Sequence, residues 1–262
     1  MSSHPPTLSV ALISFNEETR IAQCIEAVLS IADEIIVVDS RSSDRTVEIA
    51  ESLGAQVFQE EWKGFAAQKN SALQKCSCEW VLFLDCDEVL SERLRSTIVQ
   101  AIGQSAFDGY RLKRTTHFMG KMVTHSWQND WLTRLVRRSK GRWTGEHVHE
   151  RLECDGAVGT VEGLLYHFTY TNYETELTKG VSYAKLGAQA LCARNKKIRL
   201  SHLIFNPLWG FIKHYFVKRG FLDGFQGFVI AFSNWHYTFD KYLIAWEMQN
   251  SDICKRTDIN DK

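Results

Sequence analysis

WVLFLDCDEVL, residues 80–90, sets an unbroken apolar run directly against two carboxylates one residue apart, Asp85 and Asp87. The run from Trp80 to Leu84 is too short for a helix and rich in aromatic and aliphatic side chains, which predicts a buried strand. Such a run suits a parallel strand covered on both faces. In open α/β sheets ligands bind just outside the carboxyl ends of the strands, so Asp85 and Asp87 stand where chemistry is done. Residues two apart in extended chain point the same way. The pair can therefore converge on one cation while Cys86 faces the protein, and two hard oxygen donors suit Mg²⁺ or Mn²⁺. An isolated Asp-x-Asp also fits an ordinary turn at a strand end. The neighbouring sequence has to decide.

Upstream, strand and helix signals alternate. LSVALIS (8–14) and EIIVVD (34–39) read as strands, with a short third one at 56–58. Residues 19–31 predict an amphipathic helix with Ile21, Ile25, Val28 and Leu29 on one face. Ser and Asp caps open a helix over 42–54 that stops at Gly54, and further helices are expected over 64–75 and 91–102. Repeated strand–helix units predict an α/β, mostly parallel, doubly wound sheet. Beyond residue 105 the pattern changes to strand-like pieces at 110–116, 132–138 and 163–170, joined by loops rich in His, Trp and Arg. Helical signals return from Tyr173 to about Asn195, and residues 201–250 hold 14 of the 31 aromatics.

Global charge names no partner, since 31 Lys plus Arg balance 31 Asp plus Glu. The distribution is uneven. Residues 1–100 carry 8 basic and 16 acidic side chains, residues 101–150 carry 9 and 4, and residues 151–262 carry 14 and 11. No acid occurs from Leu177 to Leu222, against nine bases. The seven cysteines are scattered, and Cys76 with Cys78 forms C-x-C rather than a zinc-type C-x-x-C, which favours reduced thiols in a cytosolic compartment. The N-terminal apolar run ends at Phe15 before an acidic pair, unlike a cleaved signal. No stretch approaches the roughly 20 apolar residues of a spanning helix.

Four segments, SVALISFNEE (9–18), IIVVDSRSSDRT (35–46), AAQKNSAL (66–73) and LFLDCDE (82–88), resemble in order and spacing the nucleotide-binding half of family 2 glycosyltransferases with the GT-A fold. The second departs from the commoner Asp-Asp-Gly-Ser and reads Asp39-Ser40-Arg41-Ser42, keeping the first Asp. That variant, with VHERL (148–152) and KRGFLDGFQG (218–227), resembles the subgroup of lipopolysaccharide inner-core β-1,4-glucosyltransferases. The resemblance covers nearly the whole chain. It implies a Rossmann-like GT-A catalytic domain over 1–172, with its nucleotide-sugar-binding half at about 1–105 and its acceptor half at about 106–172. A helical C-terminal region over 173–262, basic, aromatic and membrane-associating, would follow. FLDCDEVL also resembles the first motif of haloacid-dehalogenase-type phosphatases, with Asp85 as nucleophile and Asp87 as general acid. Those enzymes need a second acidic cluster downstream, and no such pattern follows Glu88.

The resemblance further implies an inverting, metal-dependent transfer of a hexose from a nucleotide sugar, glucose from UDP-glucose, to a heptose of the inner core. A family 2 transferase with another donor or acceptor, and an inactive sugar-binding GT-A domain, are the alternatives. Asp85 and Asp87 would hold Mg²⁺ or Mn²⁺ against the donor diphosphate, where a Lewis acid stabilises the leaving charge. Asp39 would bond the uracil edge, Phe15, Asn16 and Glu17 would line the base and ribose pocket, and Lys69 with Asn70 would close on base or phosphate. Each has an ordinary reading too, such as a strand end for Asp39, a helix start for Glu17 or a solvated face for Lys69. An inverting transfer needs a general base for the acceptor hydroxyl. Asp130 is preferred and Glu150 is the second candidate. His149 would complete the metal site or touch pyrophosphate, and Arg134, Arg137 or Arg138 would pair with phosphates.

LSHLIFNPLWGFIKHYF (200–216) lies between the basic stretches 194–199 and 213–219. Large apolar side chains beside basic ones describe a helix in a membrane interface, which fits a lipid-linked core oligosaccharide acceptor and a peripheral location on the inner face of the cytoplasmic membrane. A helical cap with a core of aromatics is the alternative, and the preferred one for much of 221–246. Overall neutrality and the lack of a recognised motif speak against nucleic acid.

Overall fold

Apolar runs become the centre of a sheet: β1 (Leu8–Ser14), β2 (Glu34–Asp39), β3 (Gln56–Gln59) and β4 (Trp80–Asp85), with α1 (Ile21–Glu26), α2 (Thr46–Ser52) and α3 (Phe65–Lys75) between them. The structure is a computed structural model and describes residues 6–104, 106–127, 130–145, 150–168 and 173–250. β1 pairs in parallel with β2 and β4, and β2 with β3. Leu8–Leu12 and Trp80–Leu84 are buried without interruption, as strands covered on both faces require. One face of these strands, with Val10, Leu12, Leu82 and Leu84, packs on Ile21 and Ile25 of α1. The other, with Ala11, Ile36, Val81 and Phe83, packs on Ala72 and Leu73 of α3.

After β4 the chain forms β5 (Glu88–Leu90), α4 (Glu92–Gln104), β6 (Gly109–Phe118), β7 (Lys121–Val123), β8 (Asp130–Arg137), β9 (Gly141–Thr144), β10 (Arg151–Cys154), β11 (Val158–Thr160) and β12 (Leu165–His167). Among the described residues the sheet has ten strands in the order β3-β2-β1-β4-β8-β6-β12-β5, with β7 and β11 also on β6. β9 and β10 pair apart from it. β8 runs antiparallel to both β4 and β6, so a parallel half meets an antiparallel half at β4. The strand order reverses between β1 and β4. Their carboxyl ends flank the crevice where an open α/β sheet receives its ligand.

The chain divides into two compact units, one of residues 1–115 and 129–168, the other of 116–128 and 169–262. The second holds α5 (Tyr173–Ala193), α6 (Leu200–Ile212) and α7 (Phe225–Asn250), with a π-helical turn Lys213–Val217 and a 3-10 turn Gly220–Asp223 before α7. Ala188, Ile198, Tyr242 and Ala245 form its core. Asp223 clasps the segment after β7, accepting the backbone N–H groups of Thr124, His125 and Ser126 at 3.0, 3.1 and 2.7 Å and the Ser126 hydroxyl at 2.8 Å. Gly220 and Gly227 are set so closely that a Cβ on Gly227 would meet the Gly220 carbonyl oxygen at 1.8 Å. Among the described residues no helix is long and apolar enough to cross a membrane.

Local expectations and structure differ at three places. The helix expected over 19–31 is regular only over Ile21–Glu26; beyond it Val28 bonds back to Ile25 and Ile31 to Val28 in tighter i→i+3 turns, which bury Val28 and expose Leu29. The helix expected from Ser42 begins at Thr46, because Ser42 is committed to Asp39 and Asp44 takes the Thr46 N–H at 3.0 Å. Cys86 and Asp87 form a turn between β4 and β5 instead of continuing the strand. The two aspartates are therefore not held parallel by an extended backbone.

Candidate active site

Asp85 ends β4 at the strand-order reversal, and both its oxygens are engaged. Oδ1 lies 2.9 Å from Lys69 Nζ and Oδ2 lies 2.6 Å from Arg134 Nη2. Lys69 comes from α3 and also reaches Glu150 Oε1 at 3.2 Å, with its ammonium 4.4 Å from the centre of the Trp143 ring. Arg134 comes from β8 and also reaches Glu88 Oε1 at 2.8 Å. Its position has a local cause. On β6 Tyr110 faces Leu135 while the next residue, Arg111, faces Thr133, so Arg134 is the extra residue of a β-bulge. Bulges bend a strand and re-aim one side chain, and are common beside active sites.

Glu88 is fully buried at the start of β5. Besides Arg134 it holds Arg114 Nη1 at 3.4 Å, and its Oε2 accepts the Asp85 N–H at 3.1 Å. Burial alone would raise the Asp85 carboxyl, but Arg134 and Lys69 outweigh it and hold it well below the usual carboxylate range. Burial likewise opposes the Arg134 charge, and Asp85 with Glu88 outweigh that cost.

Asp87 faces a different partner. His167 Nε2 of β12 lies 3.4 Å from Asp87 Oδ2, and the Phe168 N–H donates to the Asp87 carbonyl at 2.8 Å. Burial favours the neutral acid here too, and the His167 imidazole overrides it to leave Asp87 lowered. Cys86 is turned inward, its thiol on the Ile13 carbonyl at 3.3 Å, and burial pushes its pKa up.

The other expected residues are placed as follows. Asp39, at the end of β2, is fully buried and accepts the Ser42 N–H at 2.8 Å and the Ser14 hydroxyl at 2.8 Å. Asn16 sits at φ +53° and its side-chain oxygen takes the Ser43 N–H at 2.9 Å, while the Glu17 N–H donates to Thr46 Oγ1 at 2.7 Å. These bonds tie the loop after β1 to the loop after β2 and leave Phe15 exposed at their rim. Asn70 clamps β9, donating to the Trp143 carbonyl at 2.8 Å and accepting the Trp143 N–H at 2.9 Å. Asp130 begins β8 with its side chain 58 % exposed and Arg114 Nη2 at 3.6 Å. His149 lies outside the described residues. Arg137 and Arg138 bond Glu79 and the Cys78 carbonyl, away from Asp85. Glu88 and His167 belong to the cluster although no sequence expectation included them.

Among the described residues no three His, Cys, Asp or Glu side chains form a complete metal site. Asp87 and His167 offer an oxygen and a nitrogen donor, with Asp85 across the turn. That set fits Mg²⁺ or Mn²⁺, which bind through one or two carboxylates and take waters and phosphate oxygens as their remaining ligands.

The profile described as "Glycosyl transferase family 2" matches residues 9–156. A lipopolysaccharide core biosynthesis glycosyltransferase, LpsC of Rhizobium meliloti (strain 1021), is 32% identical over 241 residues, covering 88% of this chain and 89% of that protein. An uncharacterized glycosyltransferase of Rickettsia prowazekii (strain Madrid E) is 32% identical over 235 residues, covering 85% and 80%. Among solved structures, the mannosyltransferase PcManGT from Pyrobaculum calidifontis, in complex with GDP-Man and Mn²⁺, has a TM-score of 0.50 at 15% identity over 95% of this chain and 88% of that one. Glucosyl-3-phosphoglycerate synthase from Mycobacterium tuberculosis has a TM-score of 0.50 at 18% identity over 71% and 79%. These two likenesses show the fold, GT-A.

Proposed function

Because the chain belongs to glycosyl transferase family 2, we propose that it moves glucose from UDP-glucose to a heptose of the lipopolysaccharide inner core, with inversion at the anomeric carbon. The observation that carries the donor half is the pair Asp85 and Asp87 at the strand-order reversal, with Lys69 and Arg134 beside them. The core-biosynthesis relative supports the acceptor half.

Phe15, Asn16 and Glu17 form the rim for base and ribose, and in this reading Asp39, buried behind them, works through the loop it fixes as much as by bonding the base. Lys69 and Arg134 face the diphosphate. Asp87, with His167 and Asp85, would hold Mg²⁺ or Mn²⁺, which supplies Lewis-acid stabilisation of the leaving diphosphate. As the acceptor oxygen bonds to the anomeric carbon, the bond to the diphosphate breaks, UDP departs and the hydroxyl proton goes to the base. Asp130 suits that task, being exposed and only loosely paired with Arg114. Glu150 is spoken for by Lys69.

The acceptor is lipid-linked, so the enzyme works at the inner face of the cytoplasmic membrane. α6 supports this: Leu203 and Pro207 turn inward, while Ile204, Phe205, Leu208 and Trp209 are exposed, an apolar face that no described residue covers. Lys197, Arg199, Lys213 and Arg219 flank it and make no ion pair among the described residues. The test is UDP release by the purified protein with UDP-glucose and deep-core lipopolysaccharide, with and without EDTA. Metal-dependent turnover is expected. Donor binding without turnover, across a panel of nucleotide sugars, would leave a sugar-binding module instead.

A further inference from the structure

Lys69 and Arg134 share a pattern that neither donor binding nor catalysis by itself requires. Each is almost fully buried and each bridges Asp85 and one second acid, Glu150 for Lys69 and Glu88 for Arg134. Asp85 is the outermost acid of the three: its side chain is 31% exposed, against 15% for Glu150 and 0% for Glu88. A buried cation stripped of its last counter-ion is strongly unfavourable. Here neither cation would be stripped if Asp85 turned away.

We infer that Glu88 and Glu150 are reserve counter-ions that let Asp85 be released to the incoming cation and diphosphate. In the ligand-free protein Asp85 neutralises Lys69 and Arg134. When its oxygens are drawn to a ligand, Lys69 stays on Glu150 and over the Trp143 ring, and Arg134 stays on Glu88. Neither moves far, so both remain aimed at the diphosphate. Glu88 has further ties that make it a fixed anchor, since it also takes the Asp85 N–H at 3.1 Å and Arg114 at 3.4 Å. Glu88 and Glu150 are thus positioning residues, which removes Glu150 from the candidates for general base. The inference rests on the donor reading above.

The test separates cation-dependent from cation-independent binding, measured by calorimetry with UDP in Mn²⁺ and with UDP in EDTA. Glu88→Gln leaves Arg134 with Asp85 as its one remaining close acid among the described residues, so releasing Asp85 becomes costly. Affinity for UDP in Mn²⁺ should fall about tenfold, the scale of one charge-assisted contact, while affinity in EDTA stays unchanged. Glu88→Asp, which keeps the charge, should recover most of the loss. Glu150→Gln makes the same prediction through Lys69 and remains available if Glu88→Gln does not fold. Equal losses with and without Mn²⁺, or no loss in either folded glutamine variant, would overturn the inference. If the wild type binds another nucleoside diphosphate in place of UDP, the donor assignment moves and the same comparison is made with that nucleotide. If it shows no cation-dependent binding to any, both readings fall.

Discussion

At the scale of single residues, the two aspartates divide their labour: Asp85 balances two buried cations, and Asp87 answers to His167. Asp87→Ala should lower turnover by at least about a hundredfold, the loss typical of removing one electrostatic stabiliser, with the far-ultraviolet dichroism of the wild type retained. Normal activity in that variant would take the turn out of the mechanism. Asp223 makes a stability prediction instead. Burial would raise its pKa, but the N–H groups of Ser126, Thr124 and His125 and the Ser126 hydroxyl bring it to about 2. A folded value below the unfolded one means the stabilisation is present above about pH 4 and is lost as pH falls towards 2, a span worth about 2 kcal/mol. Urea midpoints across that range should fall in the wild type and flatten in Asp223→Asn. Asp85, Asp87 and Lys69 were legible because strand ends and ordered motifs point to them, whereas Arg134 read as one of three arginines on a strand until the bulge set it apart. Glu88 read as one more acid in a run, and His167 as one of nine histidines, since only the turn at Cys86 and the pairing of β12 with β5 bring them in.

At the scale of elements, the apolar runs named the strands of the parallel half, since a strand buried on both faces leaves an unbroken hydrophobic signature. The antiparallel half was less legible. β5, β7 and β11 have three residues each, too few to show a period. The bulge at Arg134 lies in strand pairing, and a single strand's sequence carries no trace of its partner's register. Helix α1 was overextended because periodicity persists through the tighter turns that follow it. KRGFLDGFQG, singled out as a motif, turns out to contain a close backbone crossing at Gly220 and Gly227. Gly227→Ala should cost about 3 kcal/mol in thermal or urea unfolding, because the obstacle is backbone and cannot step aside. A variant as stable as the wild type would mean the crossing is looser than described.

At the scale of the whole molecule, the apolar face of α6 and its flanking bases call for a partitioning experiment. Vesicles containing anionic lipid should bind the protein more tightly than neutral ones, and replacing Lys197, Arg199, Lys213 and Arg219 by Gln should weaken that binding by about 1 kcal/mol per charge at low salt. The difference should shrink as salt rises. Unchanged partitioning would mean that the face is covered by something other than a membrane surface. One last consequence concerns time. The segment 116–128 belongs with the helices although residues 129–168, which lie in the other unit, separate it from them. Thr124, His125 and Ser126 wait for Asp223, which lies 97–99 positions later in the chain. At ribosomal speed that delay is about 5–20 s. During synthesis the turn at Thr124–Ser126 must therefore stay without this clasp until Asp223 has been made.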